Sequence, residues 1–393
     1  MKNTSPPASG HASTKVLFIS HDAQPHGAQI LLLHLVRWIA ANTRVVPHVL
    51  LKQDGPLRKD FEAVARTMVW RPDDVAGFLR KCRGEKYDVI YSNTITNGAV
   101  LEALAPLDCP VISHIHELGY WITYRSGALN NAQVVQHTDY YITASHAVTD
   151  CLHETLGLPL QKIFPIHEFA PTRLEAFDAA PARRRVREEL KIPAGAPVIG
   201  GSGTTDWRKS PDLFVQLARA VQKRMAPKEA HFIWVGGDAS GAEFGMLWHD
   251  VRRLGLEPVM HFVGHRENPR DYFAAFDVFA LTSREDPYPL VVLEAAALGI
   301  PIIGFEKSGG IGEFVENDAG FVVPYLDIDA MAARASELLA DDTLRRTLGT
   351  RAREKAAQRH DVSVAAPRIV NVIEWVRLNH RIARLANGEK IAA

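Results

Sequence analysis

The chain has 393 residues, and its 45 Lys plus Arg balance 45 Asp plus Glu, so the formal net charge is zero. At roughly 150 residues per domain this length holds two to three domains, and neutrality excludes a dedicated nucleic-acid binder, which would carry a strong basic excess. Apolar residues at 47% and charged residues at 23% exclude a disordered chain. The three cysteines, Cys82, Cys109 and Cys151, form no CxxC pair, which reads as a reducing compartment without structural zinc. No run of 18 apolar residues predicts a spanning helix. A cytoplasmic protein is expected, with contact at the inner face of a membrane left open.

Residues 1–14 are small and polar, with no apolar run to form a signal-peptide core, and are expected to be a disordered tail. From Lys15 the chain alternates short apolar runs with helical patterns. Strands are predicted at 15–20, 45–51, 87–92, 110–116, 140–145 and 162–166, with helices at 30–41, 98–107 and 146–156. Continuous apolar strands alternating with helices imply a parallel sheet covered on both faces. This gives a first doubly wound α/β domain over 15–180.

Prolines at 171, 181, 193 and 197 interrupt the pattern, around an arginine run, Arg183, Arg184, Arg185 and Arg187, expected to lie on a solvated short helix. The alternation then restarts, with strands predicted at 198–201, 231–236, 261–264, 278–281, 301–304 and 320–323. These define a second α/β domain of similar size over 181–360. In 361–393, Ile369, Val372, Ile373 and Val376 recur at helical spacing. This terminal helix is expected to return to the first domain.

Two such domains are expected to hold a ligand in a cleft between them, at the carboxyl ends of strands where helix N-termini converge. The richest stretch is 283–295. It follows the 278–281 strand and opens a helix with Pro289 near its first turn, and Gly299 and Pro301 stop that helix. Amides around Leu290, Val291 and Val292 would face an anion, which the helix dipole favours. Asp286 stands just before the helix and Glu294 lies inside it; eight helical residues rise ~12 Å. A diphosphate could sit on the amides, with one carboxylate toward a sugar and the other toward a ribose. A surface Glu294 and a capping Asp286 are the plainer readings. Against them, Glu294 is embedded among apolar residues 290–293 and 295–298, where a carboxylate is costly without a partner.

Other features carry less. Gly201-Ser202-Gly203 follows a strand, but Asp206 occupies the third glycine position, so the dinucleotide fingerprint fails. Asp327-Ile328-Asp329 suits a turn. His114 and His116 share one face of a strand end, with no further ligand set nearby in sequence, so a packed His114 and no metal are expected. Tyr120, Trp121 and Tyr124 could form an aromatic platform, since rings suit sugar faces, or simply pack locally.

The carboxylate, seven residues, then Glu294-Ala295 and Gly299-Ile300-Pro301 resemble the signature of the retaining glycosyltransferases of family 4, which have GT-B architecture. Other segments resemble family motifs in the same order: Pro25 to Gln29 the first glycine loop, Ser113 to Glu117 the strand-end histidine motif, Ser145 to Val148 the Ser-x-x-Val segment, and Gly309 to Glu313 the late Gly-Gly loop. Lys209 stands where the donor-phosphate lysine is expected. The sequence departs from the pattern at Asp286 (usually Glu), Thr204 after Gly203 (usually Arg), His26 (usually Gly) and Gln29 (usually Glu).

The resemblance implies two Rossmann-like doubly wound domains facing across a cleft, the first for acceptor and the second for donor. It implies a metal-independent, retaining hexosyltransferase, with no cofactor beyond a nucleotide-diphosphate sugar as co-substrate and a carbohydrate or lipid-linked acceptor. The setting it suggests is bacterial surface polysaccharide synthesis. His116, Asp286 and Lys209 are the expected catalytic residues. Glu294, Arg208, Gly203, Leu290, Val291, Gly309, Gly310 and Gly27 are expected to bind donor, and Tyr120 and Trp121 acceptor. An epimerase or phosphorylase on the same fold, or a non-catalytic nucleotide-sugar-binding subunit, are the alternatives.

Overall fold

A computed structural model describes residues 13–174, 177–238 and 240–387. The expected tail over 1–14 falls almost wholly outside the described residues, as does the end of the terminal segment. The described strands are β1 (Lys15–Ser20), β2 (Val46–Leu51), β3 (Arg66–Val69), β4 (Val89–Asn93), β5 (Val111–Ile115), β6 (Tyr140–Thr143), β7 (Ile163–Pro165), β8 (Val198–Ser202), β9 (His231–Val235), β10 (Met260–Gly264), β11 (Val278–Leu281), β12 (Ile302–Phe305) and β13 (Gly320–Val323).

They form two sheets, ordered β3-β2-β1-β4-β5-β6-β7 and β10-β9-β8-β11-β12-β13, and every strand pairing with a resolved register is parallel. The protein is therefore an α/β chain with two Rossmann-like, doubly wound sheets. Counted from its own first strand, the second sheet runs 3-2-1-4-5-6, with the order reversing between β8 and β11. That reversal point is where ligands sit in open parallel sheets.

The strands read as apolar runs because both of their faces are buried. β8, β9, β11 and β12 are buried at every position. Their side chains meet those of the flanking helices in one core built around Phe214, Phe232, Trp234, Phe305 and Leu338. At ~25 cal/mol per Å² of apolar surface removed from water, this burial is the main force holding the sheet and helices together. β3 has no fully buried position: its Arg66-Thr67-Met68-Val69 is exposed or half-buried throughout. With no buried position it displays no apolar run, and the sequence pattern passes over it.

The chain divides into two compact units. One contains residues up to His114, Ala128–Tyr141 and the chain from Ile369 onward; the other contains Ile115–Gly127 and Ile142–Arg368. The terminal helix spans Val362–Ala386, and in the first unit Trp375 packs edge-on against Tyr140 with ring centroids 5.0 Å apart.

The arginine run is a solvated face in part: Arg184 and Arg185 are exposed, whereas Arg183 and Arg187 turn inward. On the Ala179–Glu189 helix, Arg183 reaches the carbonyls of Ala274, Ala275 and Phe276 and pairs with Asp277 at 2.9 Å. Arg187 is buried and donates to the carbonyls of Pro193, Ala194 and Ala196. Both arginines satisfy backbone acceptors that their neighbours cannot reach.

Candidate active site

The second unit gathers most of the residues singled out in the sequence. Lys209 lies in the loop after β8 and Asp286 in the loop after β11, and β8 and β11 pair directly, Val278 opposite Ile199. The loops thus meet at the reversal point of the sheet. Lys209 Nζ lies 2.5 Å from Asp286 Oδ2, Arg208 Nη1 lies 3.9 Å from Asp286 Oδ1, and the Ser283 hydroxyl donates to Asp286 Oδ2 at 3.2 Å. Burial depresses the Lys209 pKa against the attraction of Asp286. The Asp286 carboxylate is 5% exposed and is engaged by Lys209, so its oxygens face a cation instead of open space.

Three glycines make this packing possible. A Cβ on Gly203, whose φ is +156°, would lie 2.9 Å from Lys209 Cγ, so its bare backbone leaves room for the lysine stem. At Gly309, φ is +131° and a Cβ would stand 1.8 Å from the Asp286 carbonyl oxygen; on Gly310 it would stand 2.5 Å from the Tyr288 ring. The Gly310 amide donates to the Pro287 carbonyl at 3.0 Å, and Asp286 N donates to Ser308 O at 2.6 Å. The space these two glycines leave open is filled by the chain's own 286–288 loop.

The helix that follows runs Leu290–Ala297, with Pro289 at its N-cap and no side-chain cap. The Val292 amide is used by the Pro289 carbonyl at 3.0 Å. The Leu290 and Val291 amides hydrogen-bond to no described residue, as helix starts leave them. Glu294, further along, is half-buried and hydrogen-bonds to no described residue. Burial raises its carboxyl to about 7, against the opposing charge of Arg270.

His116 follows β5. Its Nδ1 lies 2.7 Å from Glu168 Oε1, and the two side chains are 5% and 6% exposed. Burial disfavours the charged ring, but the charge and hydrogen bond of Glu168, with Glu117 nearby, more than offset it and raise the His116 pKa. Sequence reading missed Glu168, which carries no motif and stands 52 positions away. His114, in the first unit, is fully buried, with Nδ1 2.6 Å from the Tyr91 hydroxyl.

The Tyr120 amide donates to Glu285 Oε2 at 2.9 Å, so Glu285 fixes the entry to the Trp121–Arg125 turn. The Tyr120 ring lies 4.9 Å from that of Trp207 and 5.8 Å from that of Tyr124. Trp207 and Tyr124 are 53% and 75% exposed. Trp121 turns elsewhere, its ring lying beneath Arg125 at 5.7 Å. The aromatic cluster is therefore Tyr120, Tyr124 and Trp207, and sequence reading passed over Trp207. Gly27 belongs to the first unit, where it opens the Gly27–Asn42 helix at an exposed position. Asp327 of the Asp-x-Asp pair caps a helix, accepting from Ala330 N at 2.8 Å.

One described group could hold a metal: His146, His167 and Glu313 bring ligand atoms within 4.8 Å of one another. Here Glu313 already accepts from the His146 and Ala147 amides, each at 3.0 Å, and from His167 Nε2 at 2.7 Å. Those three donors occupy both carboxylate oxygens, so the cluster is satisfied as a hydrogen-bond network.

Two Rossmann-like sheets carry a cation-carboxylate pair and an open helix start at the reversal point of one of them, where ligands sit in open parallel sheets. Residues 182–355 match the model described as glycosyl transferases group 1, and residues 25–173 match that of glycosyltransferase family 4. The chain belongs to this family of glycosyltransferases. It is 26% identical over 247 residues to the N-acetyl-alpha-D-glucosaminyl L-malate synthase of Bacillus anthracis, covering 62% of each chain, which is less than two thirds of that relative's length. It is 30% identical over 168 residues to the lipopolysaccharide core biosynthesis glycosyltransferase LpsE of Rhizobium meliloti, covering 43% of this chain and 47% of the other. In fold it is similar to Anabaena Alr3699/HepE, whose crystal structure is in complex with UDP and glucose: TM-score 0.79, 21% identity, 92% of this chain and 99% of that one covered. Among the described residues no helix is long and apolar enough to cross a membrane.

Proposed function

We propose that this protein is a retaining, metal-independent glycosyltransferase that moves a hexosyl group from a nucleotide-diphosphate sugar to a carbohydrate or lipid-linked acceptor in surface polysaccharide assembly. The observation that carries the reading is a single helix whose Leu290 and Val291 amides, and whose Glu294 carboxyl, take no hydrogen bond from any described residue. Amides and dipole at such a start favour a phosphate, and a carboxylate about one helical turn on suits the hydroxyls of a ribose.

In this reading the diphosphate lies against the open amides, with Lys209 and Arg208 beside it. As the bond to the sugar breaks, negative charge grows on the departing phosphate, and fixed cations stabilise it without reorganising. Asp286 holds Lys209 in place. Gly309 and Gly310 keep the Asp286–Tyr288 backbone close, which sets the entry angle of the helix. His116, its ring fixed by Glu168, meets the donor sugar, and Tyr120, Tyr124 and Trp207 offer rings to an acceptor sugar. Gly27 offers bare backbone for close approach of the donor.

Thermal shift against a panel of nucleoside diphosphates and their sugars tests the donor class, because a ligand that binds only the native state raises its stability by mass action. Stabilisation by one base over the others is expected, followed by transfer to a glycan acceptor that chelators leave unaffected. No shift with any of the panel overturns the reading. Donor incubated alone should stay unchanged; its isomerisation would favour an epimerase. The Glu294→Ala variant should lose donor affinity, and unchanged affinity and transfer would overturn the ribose assignment.

A further inference from the structure

The first sheet has a reversal point of its own. Its order, β3-β2-β1-β4-β5-β6-β7, turns back between β1 and β4, and the carboxyl ends of such neighbours are where open parallel sheets hold ligands. Three loops of the first unit gather there. The loop after β2 lies on the loop after β1: Lys52 N donates to Ser20 O at 2.8 Å and Leu57 N to Ala23 O at 2.9 Å, and a Cβ on Gly55 would stand 2.6 Å from the Ala23 carbonyl. The loop after β4 joins them at two points. Lys52 Nζ donates to the Thr96 carbonyl at 2.7 Å, and Thr94 Oγ1 lies 3.4 Å from His21 Nδ1.

Lys52 is the unbalanced charge of this group. It is half-buried, and burial lowers its pKa with no carboxylate acting against it. The two acids of the adjoining loops are engaged elsewhere: Asp54 pairs with Arg58 at 2.8 Å, and Asp22 accepts from Gln24 N at 2.9 Å and from Gln29 Nε2. An ammonium has three donors. Thr96 takes one, and the other two meet no described residue. A cation held partly out of water without a counter-charge is costly, and an anionic ligand removes that cost. Beside it, Thr94 is buried with φ +83° and ψ 158°, a region left almost entirely to glycine, and such strain persists at sites that clamp a ligand. In that conformation Thr94 Oγ1 lies 2.9 Å from the Thr96 hydroxyl.

We infer that the first unit holds the acceptor by an anionic group, a carboxylate or a phosphate, paired with Lys52 and hydrogen-bonded by the Thr96 hydroxyl. The inference rests on the function proposed above for the acceptor's role; the demand for an anion comes from Lys52 and not from the donor site.

The test is calorimetric titration of the full chain with glucuronate, glucose 6-phosphate and glucose, with and without UDP present to fill the donor site. Expected is binding of at least one acid roughly tenfold or more tightly than glucose, the two acids telling carboxylate from phosphate. Lys52→Gln should weaken that binding by roughly tenfold or more and leave glucose unchanged. Lys52→Arg should retain most of it, and Thr96→Val should weaken it severalfold. Each variant should keep the parent's thermal midpoint and nucleoside diphosphate affinity, which serve as controls for folding. Equal binding of the acids by parent and Lys52→Gln overturns the inference, as does a parent that prefers neither acid to glucose. Lys52-dependent binding of an acid by a chain that no nucleoside diphosphate stabilises would uphold the anion site and overturn the donor reading instead.

Discussion

The imidazole Nδ1 of His116 and Oε1 of Glu168 lie 2.7 Å apart, and both side chains are almost wholly buried. A carboxylate this close to a buried ring both orients it and favours its protonated form. Glu168→Gln should keep the hydrogen-bonding shape and remove the charge. The His116 titration, followed by NMR, is expected to move down. A raised folded pKa contributes stability that is complete below the unfolded value and lost as pH rises through the folded one. The variant should therefore lose about 1.5–3 kcal/mol at acid pH, and less above the folded pKa. An unmoved His116 titration would break the assignment.

Glu294 has the same sign from a different cause, since burial favours its neutral form. Its carboxyl is raised to about 7, so the folded chain holds a proton that the unfolded chain releases near the ordinary value. Stability should fall as pH climbs from about 4.5 to 7. A shift of this size sets a ceiling of roughly 3 kcal/mol, which partial exposure of the side chain reduces. Glu294→Gln should thus be more stable than the parent at pH 8, by about 1–2 kcal/mol, while binding nucleotide more weakly. Urea unfolding at pH 5 and pH 8 checks the first part, and calorimetric titration the second.

Gly309→Ala is expected to destabilise by about 1–3 kcal/mol through backbone strain alone. The larger effect should be on the site, because the new Cβ cannot share space with the Asp286 carbonyl. Nucleoside diphosphate affinity should drop more than tenfold. A variant with parental affinity would show that the 286–288 loop can shift without consequence.

Lys209→Met leaves Asp286 buried without its nearest cation. Breaking a buried pair costs about 3–5 kcal/mol when one charge remains, and Arg208 at 3.9 Å should recover part of it. Pairing the change with Asp286→Asn separates stability from chemistry. The double variant should regain thermal stability and still fail to transfer, since no lysine faces the leaving phosphate.

Trp207→Ala should raise the KM for a glycan acceptor severalfold and leave donor affinity near the parent's, because the ring is over half exposed and touches Tyr120. An equal loss of donor affinity would assign Trp207 to the nucleotide instead.

The sequence by itself determined the two parallel sheets, since a strand covered on both faces must be apolar along its length, as β8 and β11 are. It also marked the Leu290–Ala297 helix and the odd carboxylate within it, because proline, glycine and a lone charge in an apolar run are local signals. The strand β3 escaped because none of its four positions is fully buried. Only the tertiary structure decided which side chains face one another. Glu168 meets His116, Lys209 takes the charge of Asp286, Trp207 meets Tyr120, and Gly309 yields its space to a backbone carbonyl. Such pairings depend on which loops the strand order brings to one end of a sheet. That order is set by packing among distant segments, which leaves no periodic trace along the chain.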